Sequence, residues 1–258
     1  MVISNSEITA FVGSMLWPLF RVAGLLMTAP VFSARTVPVK IRLGLSVAIT
    51  FMILPIIPPA PQVEIFSAAS LLIVGQQLMI GVVMGFTLQL VMAAVITGGH
   101  VVAMQMGLGF AAMVDPQNGT QAPVVSQFYV IMVVLIYLSL NGHLVLFEVL
   151  FDSFHTMPIS SSGLMPEDFK RLVHWGGILF SGAVGMAIPA IASLLIVNFS
   201  FGIMTRAAPQ MNIFAIGFPL TMLLGFGVIF ATLPGVVPHS TNMFNEAYRL
   251  LKTILGVA

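Results

Sequence analysis

The stretch that decides how this chain is read is Gly98–Gln127, GGHVVAMQMGLGFAAMVDPQNGTQAPVVSQ. It carries glycine at 98, 99, 107, 109 and 119, proline at 116 and 123, and methionine at 104, 106 and 113. Asp115 is its one side chain charged at neutral pH. Apolar helical sequence flanks it on both sides. A connection exposed to water would carry charge, and a plain transmembrane hairpin would have a short polar tip. An apolar, glycine-rich connection instead suits backbone buried in protein or lining a cavity. Methionine is an adaptable, polarizable filler, and glycine permits positive φ and close backbone approach. Two readings fit these residues: a deformable constriction, or an ordinary packed loop.

The flanks are as apolar as the centre. Of 258 residues, 59% are hydrophobic and 7% charged, against about 25% charged in globular domains. The mean hydropathy is +1.08. Such a chain is embedded in a membrane or buried among other proteins. Its net charge of +1, from scattered basic residues, gives no phosphate-tracking surface, so no nucleic-acid partner is expected. Cysteine is absent, which removes disulfides, thiol nucleophiles and thiolate metal sites. The amino terminus, MVISNSEITAF, lacks the basic region of a cleavable signal peptide, so the first apolar run is expected to be retained.

Upstream of the centre, residues 65–97 form a run of 33 without an acid or a base. That exceeds the ~20 residues a spanning helix needs, so the run is expected to tilt, kink, or break near Gly81 or Gly85. Gly81 and Gly85 make a GxxxG pair, a helix face built for close packing. Before it come helical runs at 11–29 and 43–57, joined by a basic connection with Arg35, Lys40 and Arg42. Arg21 stands inside the first run. A charge there is costly in lipid, so it is expected to be paired or shielded.

Downstream, residues 124–149 are helical and interrupted by Asn141-Gly142-His143. Residues 148–171 are the most polar part, and Pro166-Glu167-Asp168 reads as a helix start with acid in its first turn. Residues 172–205 and 213–237 form a helical hairpin with the tip Arg206-Ala207-Ala208-Pro209-Gln210-Met211-Asn212. There Pro209 breaks the helix, while Arg206, Gln210 and Asn212 can satisfy the freed backbone groups. Residues 245–255 read as a separate, mildly amphipathic terminal helix. If the runs simply alternate across a bilayer, Arg35, Lys40, Arg42 and Arg206 fall on one side and Lys170, Arg171, Arg249 and Lys252 on the other. That even split sets no orientation.

Motifs for chemistry are missing. No two of the five histidines, His100, His143, His155, His174 and His239, lie three or four apart, so the helical metal-ligand spacing is absent. Glu148 and Asp152 lie four apart where the run turns polar, which fits a solvated helix end better than a proton relay. Phosphate-binding, dinucleotide and nucleophile-elbow motifs are absent, and Gly225-Phe226-Gly227 reads as a packing pair inside a helix. The chain is read as a non-enzyme without catalytic residue, cofactor or metal.

The tract RAAPQMNIFAIGFP at 206–219 is more specific. So, in order, are RVAGLLMTAPVFSARTVPVKIRLGLS at 21–46, GLGFAAMVDP at 107–116 and NGH at 141–143. Together they resemble, over essentially the whole length, the FliR family of flagellar type III secretion export-gate subunits and its counterparts in virulence injectisomes. The RAAPQMNIF part looks more flagellar.

That resemblance, added to the helical patterning, implies an all-α fold of hydrophobic, kinked and broken helices and helical hairpins built for a helical hetero-oligomer. Family members look like a fusion of the two other small gate proteins. Residues 1–171 would be the FliP-like part, 172–237 the FliQ-like hairpin and 238–258 a tail, all within one gate domain. One copy would close a ring of FliP-like subunits with FliQ-like subunits outside, beside the substrate-switch protein and the rest of the export apparatus. Unfolded flagellar export substrates would pass through. The complex would belong to the bacterial inner membrane and flagellar basal body, in contact with lipid, with much of it raised above the membrane plane. Met104, Met106, Gly107, Leu108, Gly109, Phe110 and Met113 would form a channel plug hinged at Gly107 and Gly109. Arg206, Pro209, Gln210 and Asn212 would form an assembly contact. The competing reading is a polytopic solute transporter, with helices broken at Gly98-Gly99 and Gly107–Gly109 around a midplane site.

Overall fold

Residues 68–105 contain neither proline nor a residue charged at neutral pH, so nothing in their chemistry stops a helix once it has started. The computed structural model, which describes residues 5–34, 36–61, 63–64, 66–108, 124–207 and 213–257, carries them as one helix. All regular elements among these residues are helical. They are α1 (Asn5–Thr28), α2 (Val39–Ile53), α3 (Ala68–Gln105), α4 (Val124–Ser139), α5 (Gly142–Thr156), α6 (Pro166–Trp175), α7 (Ile178–Ala207) and α8 (Ile213–Leu255). The all-α expectation holds.

The chain packs as two units. The first holds residues 1–90, 141–176 and 244–258, and the second holds 91–140 and 177–243. In the first unit α1 crosses α3 at bare backbone. A Cβ added at Gly24 would lie 2.7 Å from the Leu78 carbonyl oxygen, and one at Gly81 would lie 2.8 Å from the Leu25 nitrogen and collide with the Arg21 carbonyl oxygen. One at Gly85 would collide with Thr28 Oγ1. Residues four apart share a helix face, so Gly81 and Gly85 present one smooth strip to α1. Of the tilt, kink or break expected near Gly81 or Gly85, the break does not occur: the glycines face a neighbouring helix and α3 stays continuous. Trp17, Val22, Leu25, Leu26, Ile80, Met84, Leu146, Val149, Leu150, Phe154 and Leu251 fill the core around the crossing.

Helix α5 starts where Asn141 takes φ 56°, a left-handed conformation that asparagine tolerates. The buried Tyr248 hydroxyl donates to the Gly142 carbonyl at 2.6 Å and fixes that break. Helix α6 begins as its sequence suggests. Pro166 occupies the first turn, and Asp168 Oδ2 accepts the Met165 N–H at 2.9 Å.

Helix α8 departs from expectation. It runs unbroken from 213 to 255 through Pro219, Pro234 and Pro238 and includes the residues read as a separate terminal helix. Pro234 and Pro238 are exposed and four apart, so their missing donors lie along one outer face while the inner ladder continues.

Three helical stretches among the described residues are long and apolar enough to cross a membrane: Ala68–Gln105, Pro166–Ala207 and Pro219–Leu255. Up to four are possible if α4 and α5 together count as one bent span. This is fewer than the simple alternation behind the even charge split requires. In the most apolar window of the first, 61% is buried within the chain, against 28% and 22% for the other two.

Candidate functional site

The centre of the sequence begins later than its glycines suggest. Gly98 and Gly99 lie inside α3 and serve packing within the second unit. A Cβ at Gly99 would come 2.6 Å from Ser126 Cα of α4, and one at Gly98 would come 3.0 Å from the Ala183 carbonyl oxygen of α7. The break at Gly98-Gly99 that the competing transporter reading needs is therefore absent. These glycines let three helix backbones approach closely.

Helix α3 ends at Gln105, one residue after the first methionine of the site. Gly107 takes φ 84°, a conformation that favours glycine. Its N–H donates to the Met104 carbonyl at 3.0 Å, and the Leu108 N–H reaches back to the Ala103 carbonyl at 3.0 Å. These two bonds are the 5→2 and 6→1 pair of a Schellman cap, with Met106 as the last residue before the left-handed turn. Met104 is 69% exposed, Leu108 is half-buried, and Met106 is fully buried. The Met106 side chain lies over Gly225 of α8, where an added Cβ would come 2.6 Å from its Cγ. Gly109, Phe110 and Met113 lie outside the described residues.

Further contacts tie this unit together. A Cβ at Gly182 would collide with Met243 Cε, and one at Gly185 would come 2.8 Å from His239 Cε1. His239 Nε2 hydrogen-bonds the Gly182 carbonyl at 2.9 Å. Helices α4, α7 and α8 and the end of α3 thus meet at glycines.

At the hairpin tip, Arg206 is exposed at the end of α7, and Pro209, Gln210 and Asn212 lie outside the described residues. Helices α7 and α8 also expose large apolar side chains, among them Phe180 at 70%, Phe199 at 70% and Phe230 at 77%.

In the first unit the structure resolves the question Arg21 posed. Its side chain is fully buried, and no carboxylate pairs with it among the described residues. Instead, Nε donates to Gln77 Oε1 at 2.8 Å. Nη1 donates to the Ser153 carbonyl at 2.7 Å and to Ser153 Oγ at 3.0 Å, and Nη2 donates to the Met157 carbonyl at 2.7 Å. The guanidinium also lies 4.2 Å from the centroid of Phe154. Its positive charge sits at the carboxyl end of α5, where the helix dipole and the last carbonyls favour a cation. Sequence reading noted Arg21 and missed its partners. The available signal was polar Gln77 and Ser153 inside apolar helical sequence.

No cluster of three or more metal-ligating side chains occurs among the described residues. Comparison with known proteins gives a direct result. Residues 12–247 match the family model described as "Bacterial export proteins, family 1". The chain belongs to this family. It is 41% identical over 240 residues to the flagellar biosynthetic protein FliR of Escherichia coli (strain K12), across 93% of this chain and 92% of that protein. It is 37% identical over 256 residues to FliR of Pectobacterium carotovorum subsp. carotovorum, across 99% and 98%. FliR of Bacillus subtilis (strain 168) is 28% identical over 244 residues, across 92% and 94%. The family match spans α1 into the last turns of α8 and so includes the Arg21 cluster, the α3 cap and the hairpin tip.

Proposed function

We propose that this family member is a non-enzymatic subunit of the flagellar type III protein export gate. One copy closes a ring of FliP-like subunits, with FliQ-like subunits packed against it, and residues after the α3 cap plug the channel for unfolded export substrates. The complex resides in the inner membrane at the flagellar basal body, partly raised above the membrane plane. Residues 1–171 play the FliP-like part and 172–237 the FliQ-like hairpin, and Arg206, Pro209, Gln210 and Asn212 contact a neighbouring subunit.

The observation that carries this reading is the uncovered apolar face of α7 and α8, in a family whose relatives are named flagellar biosynthetic proteins. Large exposed apolar patches mark surfaces that another protein or a membrane covers. The family membership also favours this reading over a solute transporter. The test is co-expression with FliP- and FliQ-like chains, followed by mass measurement of the purified complex. One copy of this chain in a defined hetero-oligomer is expected. A stoichiometric complex that excludes it would refute the proposal.

A further inference from the structure

We propose that Met106, seated on Gly225, is a fixed footing for the segment that follows, and that Gly225 is the positioning residue that makes the seat. The proposal deepens the plug reading above and rests on it. It separates the residues that hold the site in place from those that act in it.

Three observations converge on Met106. First, its side chain is fully buried, whereas Met104, two residues earlier, is 69% exposed. Second, the backbone around it is closed. The Met106 N–H bonds the Val102 carbonyl at 3.0 Å, and the Gly107 and Leu108 N–H groups complete the cap. Moving Met106 would break the bonds that cap this helix end. Third, the seat is tight. A Cβ at Gly225 would lie 2.6 Å from Met106 Cγ, 2.7 Å from Cε and 3.0 Å from Sδ.

Cγ is only two bonds from the backbone. Swinging the flexible end of the methionine cannot clear that contact, so the whole side chain must turn about χ1 and leave its place. Gly227, one of the same glycine pair, has nothing within 4 Å of an added Cβ. Only Gly225 has a steric reason to be glycine. In this arrangement Met106 stays with the helix bundle while the channel opens.

The chain contains no cysteine, so an introduced pair can be cross-linked cleanly. Met106 Cγ is one bond of about 1.5 Å from its Cβ, which puts the 106 and 225 Cβ positions at most about 4.1 Å apart, within disulfide reach. The experiment uses Met106→Cys/Gly225→Cys in the gate assembled with its partner subunits. Oxidation should form the cross-link while secretion of flagellar substrates stays at its unoxidised level. Loss of secretion on oxidation, restored by a reductant, would show that Met106 must move and would overturn the footing.

Gly225→Ala provides the second measurement: it should assemble yet lose the ion barrier, while Gly227→Ala stays tight. An assembled, ion-tight Gly225→Ala gate would overturn the seat. If Gly225→Ala fails to assemble, the cross-link decides alone. Phe110→Gly/Met113→Gly leaves the seat intact and tests the plug by itself. Leak in that variant beside a tight Gly225→Ala gate sinks the seat alone. A tight Phe110→Gly/Met113→Gly gate sinks the plug, and the cross-link still reports whether Met106 moves.

Discussion

Replacing Arg21 with lysine keeps the charge and removes the fork. The guanidinium reaches Gln77 Oε1 from one edge and the Ser153 and Met157 carbonyls from the other, at 2.8, 2.7 and 2.7 Å. A single ammonium nitrogen cannot span those positions, and it is more strongly hydrated than a guanidinium. The lysine variant therefore loses at least two hydrogen bonds to a charged donor, at about 1.5–3 kcal/mol each. Ser153 keeps a partner, since its carbonyl also accepts the Met157 N–H at 3.0 Å, whereas Met157 and Gln77 lose theirs. The net cost should be about 3 kcal/mol, roughly a hundredfold in the folded-to-unfolded ratio. Arg21→Met orphans the same acceptors but also removes a buried charge, so its loss should be no larger than that of lysine. The assay is denaturant-induced dissociation of the detergent-extracted complex containing each variant. An Arg21→Lys complex with the wild-type midpoint would refute the reasoning, because charge alone would then hold α1, α3 and α5 together.

Other expectations follow from the same structure. Gly81→Ala puts a Cβ against the Arg21 and Leu25 backbones, where nothing can swing aside, and overpacking of this kind costs about 1–3 kcal/mol or more. Reduced recovery of the assembled complex checks it. Arg206→Ala and Asn212→Ala should each weaken assembly more than they alter gating; normal assembly with failed export would contradict the assembly role. Expressed without partners, the chain should be degraded or aggregate in detergent, because α7 and α8 leave Phe180, Phe199 and Phe230 uncovered. A monodisperse, folded monomer would count against that.

Helical class and most element positions were legible because unbroken apolar runs and proline-bounded corners leave few alternatives. The Pro166 helix start was legible because capping is local chemistry: Asp168 needs only its own turn to reach Met165. What sequence could not show was the neighbour each residue meets. Gly81-Gly85 announced a contact face, but only the fold supplies α1 as the partner. Gly98-Gly99 looked like a helix breaker because glycine weakens isolated helices by about 1 kcal/mol. In the packed unit that loss is outweighed by close approach to Ser126 and Ala183. Residues 245–255 looked like a separate helix, yet Pro234 and Pro238, which lack a backbone donor, share an exposed face and let α8 continue. In the candidate site, Met104, Met106 and Leu108 were grouped by proximity in sequence. Helix geometry separates them, turning Met106 inward onto Gly225 and Met104 outward.

On the proposed function, this chain seals an export gate through apolar side chains just beyond the α3 cap. Apolar groups can dewet a narrow passage and still be pushed aside by a polypeptide of any sequence. The direct measurement is ion leak in cells whose assembled gate carries Phe110→Gly/Met113→Gly, with the complex quantified in the same cells. Wild-type amounts of complex and a membrane that leaks small ions are expected. An intact barrier at wild-type complex levels would contradict the proposal and place the seal in another subunit.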